Sequence, residues 1–197
     1  EDGDPDGRPV VFANSLGTDL RLWDDVLPHL PKGLRFIRMD KRGHGLSSAP
    51  DGPYSIDDLA ADAAAVLDHI GVQDVFFVGL SIGGLIAQKL ALTRPDLCHA
   101  IVLSNTAAKI GTPDLWNTRI DAIKAGGIEV ISEPTMERWF AQGFRDTPEC
   151  LAWKYMLERT HTQGYVSCCT AIAAADLRAD TATLTLPAFG IGGSDDG

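Results

Sequence analysis

Residues 75–92 restrict what this chain can fold into more than any other stretch. Val75-Phe-Phe-Val-Gly-Leu80 is a continuous apolar run of strand length. A strand with no polar side to turn toward water is buried on both faces, which implies a parallel sheet covered by helices. A helix of small residues follows over 82–92, and Arg94-Pro95 stops it, because the residue before a proline is pushed out of the helical region. Strand and helix are joined almost without a loop, and the joint reads Gly79-Leu-Ser-Ile-Gly83.

The bare pattern G-x-S-x-G is weak. A buried strand before it and a helix after it make it specific. In so tight a turn the central residue is held in a strained backbone conformation, and the flanking positions must be small for strand and helix to approach. Gly79 and Gly83 meet that need, and the turn lifts the Ser81 hydroxyl out of the sheet as a nucleophile. The plainer alternative is an ordinary junction where Ser81 caps the helix; the matched context weighs against it. A serine hydroxyl also needs a base and donors for the tetrahedral oxyanion. Two backbone N–H groups are expected, one from Ile82 and one from the loop Asn14-Ser-Leu-Gly17, with Leu16 the best candidate.

The rest of the chain agrees with an α/β architecture. Strands are expected over 9–13, 35–39 and 100–104, and a helix over 55–70, with Ser55 as N-cap and Asp58 three residues on. From about 106 to 179 only helical periodicity appears, including an aromatic-rich stretch with Trp116, Trp139, Phe140, Phe144, Trp153 and Tyr155. The strand pattern returns over 184–191. The expected organisation is a core over 1–106, a helical cap over 107–180, and a return to the core over 181–197.

A formal net charge of −10 argues against nucleic acid and anionic membrane surfaces as partners. No apolar run approaches the roughly 20 residues of a spanning helix. Cys98, Cys150, Cys168 and Cys169 fit no zinc spacing, and the vicinal pair is a poor disulfide. Buried reduced thiols in a cytoplasmic protein are the expectation, with neither metal nor organic cofactor.

These motifs together resemble the α/β-hydrolase superfamily, and within it the 3-oxoadipate enol-lactonases. The superfamily resemblance rests on Phe12-Ala-Asn-Ser-Leu-Gly17, Asp40-Lys-Arg-Gly-His-Gly-Leu-Ser47 and Val78-Gly-Leu-Ser-Ile-Gly-Gly84. The lactonase resemblance rests on Leu103-Ser-Asn-Thr-Ala-Ala108, Glu137-Arg-Trp-Phe140, and Gly164-Tyr-Val-Ser-Cys-Cys-Thr-Ala-Ile172 running to Ala175-Asp-Leu-Arg178.

The resemblance implies an α/β-hydrolase fold with a helical cap, and a triad of Ser, Asp and His in that chain order. Ser81 takes the first role. Asp196, three residues after Gly193, is favoured as the acid over Asp195. The family's histidine follows the next strand and helix, and none of the five histidines here is assigned as base; His44 is expected to support its loop. The expectation is therefore that the 197 residues are part of a longer protein, shortened at both ends. The substrate implied is a small lactone that opens to 3-oxoadipate, in aromatic catabolism through the β-ketoadipate pathway. Arg42 is a candidate partner for its carboxylate, and Trp139 a candidate pocket wall. The rival readings are a general carboxylesterase, a C–C bond hydrolase, or a non-catalytic binding protein on the same scaffold. Epoxide hydrolases and dehalogenases are disfavoured, since they use Asp where this chain has Ser81.

Overall fold

The structure is a computed structural model that describes residues 1–194. Strand β1 (Asp2–Gly3) is short, and β2 (Arg8–Ala13) leads through two 3-10 turns to β3 (Leu34–Met39). Helix α1 (Ile56–Ile70), β4 (Val75–Leu80), α2 (Ile82–Thr93) and β5 (Cys98–Ser104) follow. Then come α3 (Pro113–Gly126), α4 (Ser132–Trp139), α5 (Gln142–Arg145), α6 (Pro148–Glu158), α7 (Thr162–Ala174) and α8 (Arg178–Thr181), and the chain returns to the sheet as β6 (Ala188–Ile191).

The sheet order is β1-β3-β2-β4-β5-β6, and every pairing is parallel except β1 with β3. From β2 the chain steps outward to β3, then crosses back so that β4 lies on the other side of β2. Such a reversal opens a crevice at the carboxyl ends of the two strands, the usual ligand position in an open parallel sheet. Here Ala13 of β2 lies in register with Gly79 of β4. The loop after β2 and the turn after β4 therefore leave the sheet side by side.

Helix α1 forms for the reasons its sequence gives. Ser55 accepts from the Asp58 N–H at 3.1 Å, and the Asp58 carboxylate accepts from the Ser55 N–H at 2.9 Å, a reciprocal capping box. Gly71 closes the helix in the left-handed region at φ +68°. Leu59, Ala63 and Leu67 are buried, whereas Val66, which shares their spacing, is 38% exposed.

Two expectations about strands need correction. The run at 75–80 is not equally buried on its two faces. Val75 and Phe77 are fully buried in the main apolar cluster with α1 and α2, while Phe76, Val78 and Leu80 are half-buried against a smaller cluster of Val10, Phe12, Trp23 and Phe36. The last strand is also shorter than 184–191. The amides of Thr183 and Leu184 donate back into the turn of α8, so ladder pairing in β6 begins only after Pro187. Strand β1 was not expected at all, because Asp and Gly are poor strand formers. It pairs with β3 beside ion pairs from Arg35 to Glu1 and from Arg38 to Asp2.

The helices between β5 and β6 lie against the carboxyl-end loops of the sheet. Gly43 and Gly164 meet backbone to backbone: a Cβ on Gly43 would stand 2.5 Å from the Gly164 Cα. One apolar cluster runs from Val11 and Leu85 in the core to Ile123, Leu157 and Tyr165 in these helices.

Candidate active site

Ser81 sits at φ +56°, ψ −118°, a conformation non-glycine residues rarely adopt, at a typical cost of about 1–3 kcal/mol. Three hydrogen bonds hold it there. Its N–H donates to the Ser104 carbonyl at 3.0 Å, and its own carbonyl accepts from the Thr106 hydroxyl at 2.6 Å and the Gly84 N–H at 2.8 Å. The turn has no room for side chains beside the serine. A Cβ on Gly79 would lie 2.2 Å from the Gly83 carbonyl oxygen, and one on Gly83 would lie 2.1 Å from that of Ala13. The Ser81 side chain makes no capping bond to α2, which removes the ordinary-junction reading. Ser81 instead lines a cavity of about 290 Å³.

Leu16 lines the same cavity, and Ile82 follows the serine. Both residues are buried, and neither backbone N–H has an acceptor among the described residues. Two buried, unspent donors beside a hydroxyl are what a developing oxyanion requires.

The loop that carries Leu16 is tied down by the Asp40–Gly45 turn at the end of β3. Asn14 donates to the Met39 carbonyl at 2.9 Å and accepts from the Trp23 indole at 2.7 Å. The Lys41 ammonium donates to the Ser15 carbonyl at 2.6 Å, and Asp40 accepts from the Leu20 N–H at 2.7 Å. The His44 Nε2 accepts from the Gly17 N–H at 3.0 Å while Nδ1 faces the Arg42 carbonyl at 3.3 Å, so the ring is neutral with its proton on Nδ1. Burial, reinforced by the Lys41 charge, holds His44 well below the usual imidazole range. His44 thus supports the loop, and the other four histidines are exposed; among the described residues no histidine lines the Ser81 cavity.

The roof of the cavity comes from the helices between β5 and β6. Trp116, Trp139, Phe140, Trp153 and Tyr165 line it, so the aromatic stretch noted in the sequence largely becomes pocket wall. Trp139 is in the cavity. Arg42 is not. Asp62 holds its guanidinium by two bonds of 2.5 and 2.6 Å, and Tyr54 stacks beneath it at 5.3 Å, so it lies away from the Ser81 cavity. The expectation that Arg42 meets a substrate carboxylate is corrected by that pairing. Asp196, and its rival Asp195, lie outside the described residues. The strand before them ends beside the site, where the Asn105 N–H, on a residue lining the cavity, donates to the Ile191 carbonyl at 2.8 Å.

Sequence reasoning missed the two cations that do line the cavity, Arg119 and Arg138. Neither has a carboxylate partner among the described residues, whereas Arg8, Arg38, Arg42, Arg94 and Arg178 are all ion-paired. Neutral hydroxyls orient Arg119, which donates to Tyr165 at 3.0 Å and to Thr135 at 2.6 Å. No aspartate or glutamate among the described residues lines the cavity. Arg138 stood inside the quoted Glu137–Phe140 motif and could have been singled out; nothing local marks Arg119, whose partner Tyr165 lies 46 residues away.

The four cysteines are buried and unpaired, and burial pushes Cys98 and Cys168 up to about 11 and Cys169 to about 12, which keeps these thiols inert near neutral pH. Among the described residues no cluster of three metal-ligating side chains occurs, and no helix is long and apolar enough to cross a membrane.

Comparison with known proteins agrees with this geometry. Residues 8–126 match the family model described as the alpha/beta hydrolase fold. The chain is 38% identical over 196 residues to 3-oxoadipate enol-lactonase 2 of Acinetobacter baylyi, covering 98% of this chain and 73% of that protein. The crystal structure of the enol-lactonase from Burkholderia xenovorans LB400 superposes with a TM-score of 0.94 at 36% identity, over 98% of this chain and 76% of that one. A hydrolase from Pseudomonas aeruginosa PA01 superposes equally well, at 35% identity over 98% and 74% of the two chains. The chain belongs to the α/β-hydrolase fold family and is an enol-lactonase-like member of it.

Proposed function

We propose that this α/β-hydrolase opens the ring of 3-oxoadipate enol-lactone, a lactone that carries a carboxylate, through an acyl-enzyme on Ser81. The observation that carries the reading is that Ser81 shares one aromatic cavity with two arginines that have no carboxylate partner among the described residues, in a chain whose net charge is −10. Arginines without a carboxylate partner among the described residues, in a cavity that no described acid lines, suit an anionic ester better than a neutral one. The likeness to enol-lactonases supports the same substrate class.

In this mechanism the Ser81 hydroxyl attacks the lactone carbonyl as its proton passes to a base. No histidine lines the cavity among the described residues; the family pattern implies a histidine as the base, oriented by Asp196. The carbonyl oxygen becomes the oxyanion between the N–H groups of Leu16 and Ile82, each such donor worth on the order of 10²–10³ in rate. Arg119 and Arg138 hold the carboxylate, which fixes the ring with its carbonyl toward Ser81. Collapse breaks the ring C–O bond, the enol oxygen takes the proton back from the base, and the acyl group stays on Ser81. Water then attacks the acyl-enzyme by the same route and releases the acid, while the enol ketonises to 3-oxoadipate.

The intact protein should hydrolyse the enol-lactone, and Ser81→Ala should not. Comparable turnover of simple aryl esters without turnover of the lactone would place it among general carboxylesterases. Lactone bound but never opened would make it a binding protein.

A further inference from the structure

Lys41 is buried and unused by the mechanism above. It is 8% exposed and has no ion pair among the described residues; its ammonium meets the carbonyls of Ser15 at 2.6 Å and Asn14 at 3.5 Å. The Ser15 carbonyl belongs to the peptide whose N–H is that of Leu16. In a trans peptide these two groups point in opposite directions, so a cation fixing the oxygen also fixes the direction of the N–H, on a residue that lines the Ser81 cavity.

We propose that Lys41 is a positioning residue for hydrolysis: its charge fixes and polarises the Ser15–Leu16 peptide, so that the Leu16 N–H is a stronger and better-aimed oxyanion donor. The inference rests on the Ser81 hydrolase reading. A charge-assisted bond to an amide oxygen draws electron density toward that oxygen and leaves the N–H more positive, the cooperative effect seen along hydrogen-bond chains. The Thr18 hydroxyl also donates to the Ser15 oxygen, at 3.0 Å. That second tie holds the loop whether or not Lys41 is charged, so the lysine charge acts on the strength of the donor more than on the existence of the turn.

The charge on Lys41 can be removed by pH. Burial pushes the ammonium down to about 8, against the opposing pull of Cys168 on α7, of Asp40 and of Asp19. Three of the groups near it have shifts of their own, each away from that range. Burial pushes the Cys168 thiol up to about 11, the Arg21 guanidinium holds Asp19 below the usual carboxylate range, and burial keeps His44 neutral.

The test uses the intact protein with p-nitrophenyl acetate, which carries no carboxylate, so that the arginines of the roof do not enter. kcat and KM are measured from pH 6 to 10 for the wild type, Lys41→Met and Ser81→Ala, with phenylboronic acid affinity as a probe of the tetrahedral adduct. The wild type should lose kcat above pH 8 at constant KM. Lys41→Met should show kcat about tenfold lower at pH 7, less than removal of a whole oxyanion donor, with no alkaline fall, unchanged KM, and boronate affinity weakened by the same factor. Wild-type kcat and boronate affinity in Lys41→Met would overturn the inference. If that variant does not fold, the wild-type profile decides: kcat flat to pH 10 overturns it. Turnover retained in Ser81→Ala, or absent from the wild type with both p-nitrophenyl acetate and the enol-lactone, removes the hydrolase reading and this inference together.

Discussion

The floor and the roof of the Ser81 cavity are built by different forces. The floor is made of two backbone turns joined by polar ties: Asn14 to Met39, Lys41 to Ser15, His44 to Gly17, Thr106 to Ser81. Its glycines let main chain touch main chain. The roof is aromatic and apolar, with Trp139 edge-on to Phe140 at 6.3 Å, and Phe140 packed on Phe144 at 4.7 Å and on Trp153 at 6.0 Å. Its polar content is concentrated in Arg119, Arg138 and the hydroxyls around them. Directional bonds specify angles and non-directional packing specifies volume. A floor that in the proposed mechanism aims a nucleophile and two N–H donors is accordingly hydrogen-bonded, and a roof that shapes a pocket is packed. Changes to the floor should lower kcat for every ester, and changes to the roof should redistribute KM among esters.

The strongest way to break this division is Ser81→Ala. It should lower kcat by on the order of 10⁶ for neutral and anionic substrates alike while leaving the unfolding temperature within a few degrees of wild type, checked by kinetics and calorimetry. Gly83→Ala comes next. Its new Cβ meets the Ala13 backbone, which cannot swing aside, so stability should fall by about 1–3 kcal/mol in denaturant titration and kcat should fall with it. On the roof, Arg119→Met should raise KM for the carboxylate-bearing lactone roughly tenfold to a hundredfold, as expected for one lost charge-assisted bond, and leave aryl-ester turnover near wild type. An equal loss on both substrates would dissolve the distinction between floor and roof. Tyr165→Phe removes only the hydroxyl that orients Arg119, so the same KM should rise a fewfold.

The smallest expected effect is on pH. The unfolded chain takes a proton on His44 near pH 6.5, but the folded protein, which holds that ring far below its usual range, does not. Unfolding free energy should therefore decline as pH falls below about 6.5, by at most about 1.4 kcal/mol per pH unit from this group. His44→Gln should flatten that part of a melting-temperature profile.

Much of the floor was legible because its signals are local. The 75–80 strand, the Ser81 turn and the Ser55 cap each declare themselves within a few residues, and their structures follow from steric exclusion and short-range hydrogen bonds. The roof was legible only as helices rich in aromatics. Helical spacing by itself did not say which aromatic turns inward, because one helical period fits burial against a core and exposure to a pocket equally well: Trp139 lines the cavity and Tyr155 is 43% exposed.

The sequence alone determined that a serine stands on a tight strand-to-helix turn, since only glycines permit the backbone contacts such a turn makes. It also determined that an α/β sheet carries the turn and that a long helical segment interrupts the sheet. Tertiary structure alone decided which cation serves the pocket. Arg42 sits nearer in sequence to the recognisable loop motifs, yet Asp62, twenty residues on, takes it. Arg119 is brought to the cavity by a hydroxyl 46 residues away. A charge has no role until its partners are known, and those partners are chosen by the fold.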